Sequence, residues 1–337
     1  MKNLKIYIMT IVILQLLSSV SLGATDVLGG ELYTKASYKY GKFEAKIKFA
    51  AGDGVISSFF LWKPDSEQDS VYWNELDFEK ITDNCNGYST NIHWGESTSK
   101  TDSPLWVDSV NLCDEYHIHT IEWTDTSITW FLDGKEIRKI TDNQISEFNE
   151  NSASGMQFRF NLWVGNASFG GTFTPSILPV YQYIDWVQYS SFTPGAGDDG
   201  TDFTIQWKDE FNEIGANWLK GSWLSPFGNS QHSSQNVNIC NGAAVISLSS
   251  VDNPGPPSDC NGEIAGDTET SLNDTEIDTE ISADTSTENS TTDFADSGNN
   301  ISDSDLNNSS STKTSDQSGC SFTDTFKAPS ILSLLLI

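Results

Sequence analysis

Basic residues are scarce: 18 Lys and Arg stand against 47 Asp and Glu over 337 residues, a formal net charge of −29. Phosphate binding needs clustered cations, so this balance argues against a nucleic-acid partner. The four His are scattered and the five Cys form no Cys-x-x-Cys, which leaves zinc without a ligand set. Long helical periodicity is missing throughout, which excludes a helical fold. No apolar run reaches the ~20 residues of a membrane span. The run from Ile6 to Leu17 follows Lys2 and Lys5 and precedes Ser21, Gly23 and Ala24, so residues 1–24 read as a cleaved secretory signal and the protein as exported.

What the chain does have is aromatic residues, eleven Trp among them, and many short alternating segments. Tyr72 to Ile81 carries Glu75, Asp77 and Glu79 at every second position beside Trp73, with Leu76 and Phe78 between them. Strand geometry puts the three acids on one face and the two apolar residues on the other. Phe43, Ala45, Ile47 and Phe49 alternate with charges in the same way. Ile56 to Trp62, Asn91 to Gly95, Gln157 to Val164 and Tyr181 to Tyr189 read as further strands, and Asp133-Gly134 as a hairpin turn. Together they indicate an all-β sandwich or jelly roll with one acidic, aromatic-lined cleft.

Residues 193–200, rich in Gly, Pro and Asp, read as a flexible linker. Beyond it, Phe203 to Phe211, Trp218 to Leu224, Val237 to Cys240 and Ala243 to Leu248 are too few strands for a second domain and need the first as partner, with Asn241-Gly242 as another turn. The chain therefore divides into a signal (1–24), a jelly-roll domain (25–252), a disordered acidic stalk (253–318) and a lipid-anchor attachment signal (319–337). In the tail, residues 261–327 hold fifteen acids against two bases, nearly half of the excess charge. Five Asn-x-Ser/Thr sequons fall there, at Asn273, Asn289, Asn300, Asn307 and Asn308, and one in the domain at Asn166. An exported chain oxidises its cysteines, and Cys85 with Cys113 and Cys240 with Cys260 each enclose one local stretch, leaving Cys320 over.

Glycosidic hydrolysis needs one carboxylic acid to protonate the departing oxygen and one carboxylate to attack or to activate water. Glu75 as ionised nucleophile, Asp77 bonded to it, and Glu79 holding the proton satisfy that need, because three crowded acids cannot all ionise. An ordinary solvated acidic strand shows the same pattern. Phe60, Trp62, Trp73, Trp94, Trp163, Trp186 and Trp223 are candidates for stacking on sugar rings.

Tyr40-Gly41-Lys42-Phe43-Glu44-Ala45, Gly54 to Leu61 and Glu75-Leu76-Asp77-Phe78-Glu79 resemble glycoside hydrolase family 16. The unbulged acid motif, with Arg159 to Trp163 and Tyr183 to Val187, is similar to the lichenases of that family. Trp207 to Phe211, Trp218 and Trp223 resemble the strands that open a lichenase yet follow the catalytic half, so the resemblance implies a circularly permuted, concanavalin A-like jelly roll joined at about 193–201. It further implies a secreted endo-β-1,3-1,4-glucanase acting with retention on β-glucan as a monomer, with no cofactor needed for catalysis. Glu31, Phe60, Trp62, Asn91, Arg159, Asn161, Trp163 and Trp223 would line the sugar subsites, and Asp185 and Glu210 would hold a structural calcium. Lys80, Ser89 and Phe169 depart from the family pattern, so retuned subsites are expected. A cell-wall glucan transglycosylase shares every catalytic residue, and a catalytically spent glucan-binding lectin is the reading from another class.

Overall fold

In the computed structural model, which describes residues 25–141 and 143–260, nearly every alternating segment becomes a strand. In chain order these are β1 (Val27–Thr34), β2 (Gly41–Lys48), β3 (Val55–Trp62), β4 (Tyr72–Ile81), β5 (Gly87–Glu96), β6 (Thr101–Asp102), β7 (Leu105–Asp108), β8 (His117–Trp123), β9 (Ile128–Leu132) and β10 (Lys135–Ile140). One helix, α1 (Asn143–Glu150), leads to β11 (Gln157–Val164), β12 (Val180–Phe192), β13 (Phe203–Asp209), β14 (Trp218–Lys220), β15 (Gln231–His232), β16 (Val237–Cys240) and β17 (Ala243–Ser250). The expected signal and anchor segments, most of the stalk, its five sequons and Cys320 lie outside the described residues.

Two antiparallel sheets result. One runs β14-β1-β11-β3-β4-β5, with β6 and β7 side by side on the outer edge of β5. The other runs β10-β9-β8-β2-β12, with β13 and then β17 and β16 completing it. Between them lies the core, and its residues are those the period of two selected: Phe43, Ala45, Ile47, Leu76 and Phe78 are all fully buried. Phe59, Phe158 and Phe160 stack beneath the first sheet, with ring centroids 5.2 to 6.0 Å apart. The Trp130 indole reaches across from β9 and donates to the Asp77 carbonyl at 3.1 Å, which ties the acidic strand to the opposite sheet.

The strands that lacked a partner find one in both sheets. β13 and β17 extend β12, β14 extends β1, and β1 also meets β17 at the corner between the sheets. That is the pairing a permuted chain requires. Residues 193–202 differ from the expected flexible linker: they are a hydrogen-bonded hairpin connection between β12 and β13, with Thr193 N donating to Asp202 O and Gly197 N to Thr201 O. Asp202 Oδ1 accepts from Gly195 N and Asp198 Oδ2 from Ile205 N, so the polar residues that suggested disorder satisfy the backbone of a turn.

Two further departures are local. The strand expected over 218–224 stops at Lys220, and the rest is a loop that carries Trp223. Helix α1 was not foreseen because eight residues are too few for a period to show; Ile145 and Phe148, one turn apart, bury its inner side. Both expected disulfides are present, Cys85–Cys113 and Cys240–Cys260. The Asp133-Gly134 and Asn241-Gly242 turns have φ of 50° and 76°, and of 50° and 77°, as tight hairpins demand.

Candidate active site

Antiparallel pairing places directly opposed residues on the same face, so the register of the first sheet lays out its open face in rows. Gln157, Trp62, Glu75 and His93 form one row; Tyr33, Arg159, Phe60, Asp77 and Asn91 the next; Glu31, Asn161, Ser58, Glu79 and Ser89 the third. A cleft of about 810 Å³ lies over these rows, with the three acids on its floor.

Glu75 and Asp77 have close polar neighbours. Trp73 Nε1 donates to Glu75 Oε2 at 2.7 Å, Asp77 shares a hydrogen bond with Glu75, and His93 Nε2 stands 3.3 Å from Asp77 Oδ2. Lys100 places its ammonium 3.8 Å from the centre of the Trp73 ring, at the side of the acids. Dehydration, followed by repulsion from Asp77, raises the Glu75 carboxyl to about 7. Dehydration raises Asp77 to about 8, against the pull of Lys100 and the bond to Glu75. Glu79 is pushed well above the ordinary range by dehydration and by both other acids, with only Lys100 opposing. His93, dehydrated, falls to about 4 and is neutral. All three carboxyls are therefore held above the ordinary range, and they do not all ionise together near neutral pH.

At the β1 end, Arg159 Nη1 bonds Glu31 Oε1 at 2.8 Å and its guanidinium lies 4.6 Å from the Tyr33 ring and 5.8 Å from the Trp223 ring. Gln157 Oε1 accepts from Arg159 Nη2 at 2.7 Å, and Asn161 Oδ1 from Ser58 Oγ at 2.6 Å. Glu31, buried beside this arginine and with His232 Nε2 3.9 Å away, is raised by dehydration to about 7.

Of the residues expected at sugar subsites, Glu31, Phe60, Trp62, Arg159, Asn161, Trp163 and Trp223 line the cleft, and Trp73 joins them. Asn91 does not: it is buried and its amide lies 3.0 Å from His93 Nε2, so it braces the histidine. Trp94 packs against the core and Trp186 sits on β12 of the other sheet under Lys208, away from the cleft. Of the three departures, Lys80 points inward, fully buried with its ammonium on the Thr82 carbonyl, so it cannot tune a subsite. Ser89 stands opposite Glu79, and Phe169 stacks on Trp163 with centroids 6.1 Å apart. Asp185 and Glu210 as they stand do not fit calcium, because each is neutralised by a lysine, Lys46 at 2.7 Å and Lys208 at 2.8 Å. His93, Gln157, Lys100 and His232 were missed. The first two share a strand face with Asn91 and Arg159, a signal the alternation carried; Lys100 and His232 lie outside the alternating segments that were recognised, and no period marks them.

The family model described as "Glycosyl hydrolases family 16" matches residues 8–188. The chain belongs to glycosyl hydrolase family 16. In this family 16 chain the match stops before the strands of residues 203–250 that complete both sheets. A beta-glucanase of Fibrobacter succinogenes is 36% identical over 232 residues, covering 68% of this chain and 65% of the relative. Crh-like protein 5 of Aspergillus fumigatus is 26% identical, covering 50% of this chain and 43% of the relative. The solved Bacillus licheniformis beta-glucanase aligns over 47% of this chain and 70% of its own at 23% identity and a TM-score of 0.40. The chain spans just under two thirds of the length of the curated beta-glucanases it matches first.

Proposed function

We propose that this chain is a retaining endo-β-1,3-1,4-glucanase. The observation that carries the reading is the placement of Glu75, Asp77 and Glu79 on one strand face on the floor of a cleft lined by Trp62, Trp73, Trp163 and Trp223. Ionised Glu75 attacks the anomeric carbon while Glu79 gives its proton to the departing glycosidic oxygen. A glycosyl–Glu75 ester forms and the leaving fragment carries that proton away. Ionised Glu79 then takes a proton from water, whose oxygen attacks the same carbon and frees Glu75, restoring the original configuration. Asp77, bonded to Glu75 and slow to ionise, keeps the nucleophile oriented and limits the charge on the floor. Aromatic faces on both walls suit the apolar faces of a glucan chain, and similarity to beta-glucanases supports that substrate. A spent lectin would have no use for a carboxyl poised to ionise near neutral pH beside one that stays protonated.

Reducing-sugar release from mixed-linkage β-glucan, laminarin and xyloglucan tests the reading. Cleavage of mixed-linkage glucan is the expected result; activity confined to xyloglucan overturns it. Product analysis with added acceptor oligosaccharide separates hydrolysis from transfer.

The pH profile adds a check. Activity on mixed-linkage glucan should rise as Glu75 ionises, near pH 7, and fall at higher pH as Glu79 loses its proton. Lys100 favours the charged form of all three acids, so Lys100→Met raises their pKa values and both limbs of kcat/KM move to higher pH. Limbs that stay in place, or move down, show that Lys100 does not set this balance.

A further inference from the structure

The row that holds Glu79 does not end with Ser89. β7 pairs with β5 at Ser89↔Trp106, so Trp106 faces the same side of the sheet as Glu79, two strands away. At ~4.8 Å per strand that is about 10 Å along the row. Trp106 lies beyond the cleft that holds Phe60, Trp62 and Trp223, on the opposite side of the acids. It is also 45% exposed, a large apolar ring left open to solvent.

The ring is seated rather than dangling. A Cβ added to Gly87 would come within 2.4 Å of Trp106 Cζ2, so the indole lies over a gap that only glycine leaves. Its Nε1 donates to Asp108 Oδ1 at 3.2 Å, the next position of that strand on the same face. Gly87 is not at a positive φ, so the backbone does not require glycine there; the space above it does.

We propose that Trp106 is a sugar-stacking platform for the leaving fragment of the glucan chain, and for the acceptor that replaces it. This rests on the glucanase reading. A chain laid across the strands over the acids has one arm on the β3-β11-β1 side and one on the β5-β7 side. The first arm lies among Trp62, Arg159, Trp163 and Trp223 and suits the fragment that stays attached to Glu75. The second arm is open, as departure and entry require, and Trp106 is the aromatic surface on its row. Stacking there holds the departing sugar in line with the Glu79 carboxyl during proton transfer, and seats an incoming hydroxyl against the ester.

The test compares two substrates in the full chain: a mixed-linkage oligosaccharide with sugars on both sides of the scissile bond, and an aryl glycoside bearing the same sugars on the retained side only. In Trp106→Ala the ratio of kcat/KM, oligosaccharide over aryl glycoside, should fall about fivefold to tenfold. Trp106→Phe should restore most of the ratio. Gly87→Ala, which pushes the indole off its seat, should lower it as Trp106→Ala does. An unchanged ratio overturns the proposal, whether both substrates suffer equally, as a brace for β5 and β7 would give, or neither does. A wild-type chain that cleaves neither substrate removes the glucanase reading and this inference with it, and is thereby distinct from failure of the platform alone.

Discussion

Glu75→Gln should lower kcat on mixed-linkage glucan by roughly 10⁴-fold or more, because no glycosyl ester can form without the carboxylate. The amide keeps the shape and can still accept from Trp73 Nε1, so folding is spared and the loss reads as chemistry. Glu79→Gln should behave differently. On the polysaccharide it should cost about 10²- to 10⁴-fold, the usual worth of a general acid. On an aryl glycoside whose phenolate leaves without a proton, kcat/KM for ester formation should change little. Removing Glu79 should also abolish the fall in activity at high pH, since that limb is the loss of its proton. If Glu75→Gln retained appreciable activity, or if Glu79→Gln lost as much on the aryl substrate as on the glucan, the assigned roles would be wrong.

A chain ending at Phe192 should fail to fold. It lacks β13 to β17, and with them β14 and β17 beside β1 and β13 and β17 beside β12. Trp218, Val237, Val245, Ile246 and Leu248 are buried there. At ~1.5–3 kcal/mol each they contribute about 8–15 kcal/mol, as much as the whole ~5–15 kcal/mol stability of a typical domain. The expected result is no cooperative thermal transition and no near-ultraviolet circular dichroism. A chain ending at Cys260, which keeps every described strand and both disulfides, should retain both. A folded, active chain ending at Phe192 would show that the late strands are dispensable and that the permutation is misread.

The strand with the three acids was legible in full, from Tyr72 to Ile81, because a half-buried strand writes its two environments into alternate residues. Its chemistry was only half legible: three carboxylates on one face share protons when a cleft dehydrates them, as here, whereas on a solvated strand they need not. Subsite residues came from the family resemblance, and Arg159, Asn161 and Trp163, alternate positions of one strand, line the cleft together. The resemblance misses depth, as with Asn91, which lies on the cleft face yet is buried with its amide against His93. The family resemblance also pointed to Lys80 as a subsite departure, though its even position puts it with Leu76 and Phe78 toward the core.

Sequence by itself therefore determined most of the strand content, the two hairpin turns and the placing of three acids on one strand face, because each depends on neighbours close along the chain. Only the tertiary structure decided that Lys100 and His93 stand beside those acids, that residues 193–202 are a turn and not a tether, and that Trp106 shares a row with Glu79. These depend on the register between paired strands and on where loop residues fall in space, neither of which local periodicity encodes.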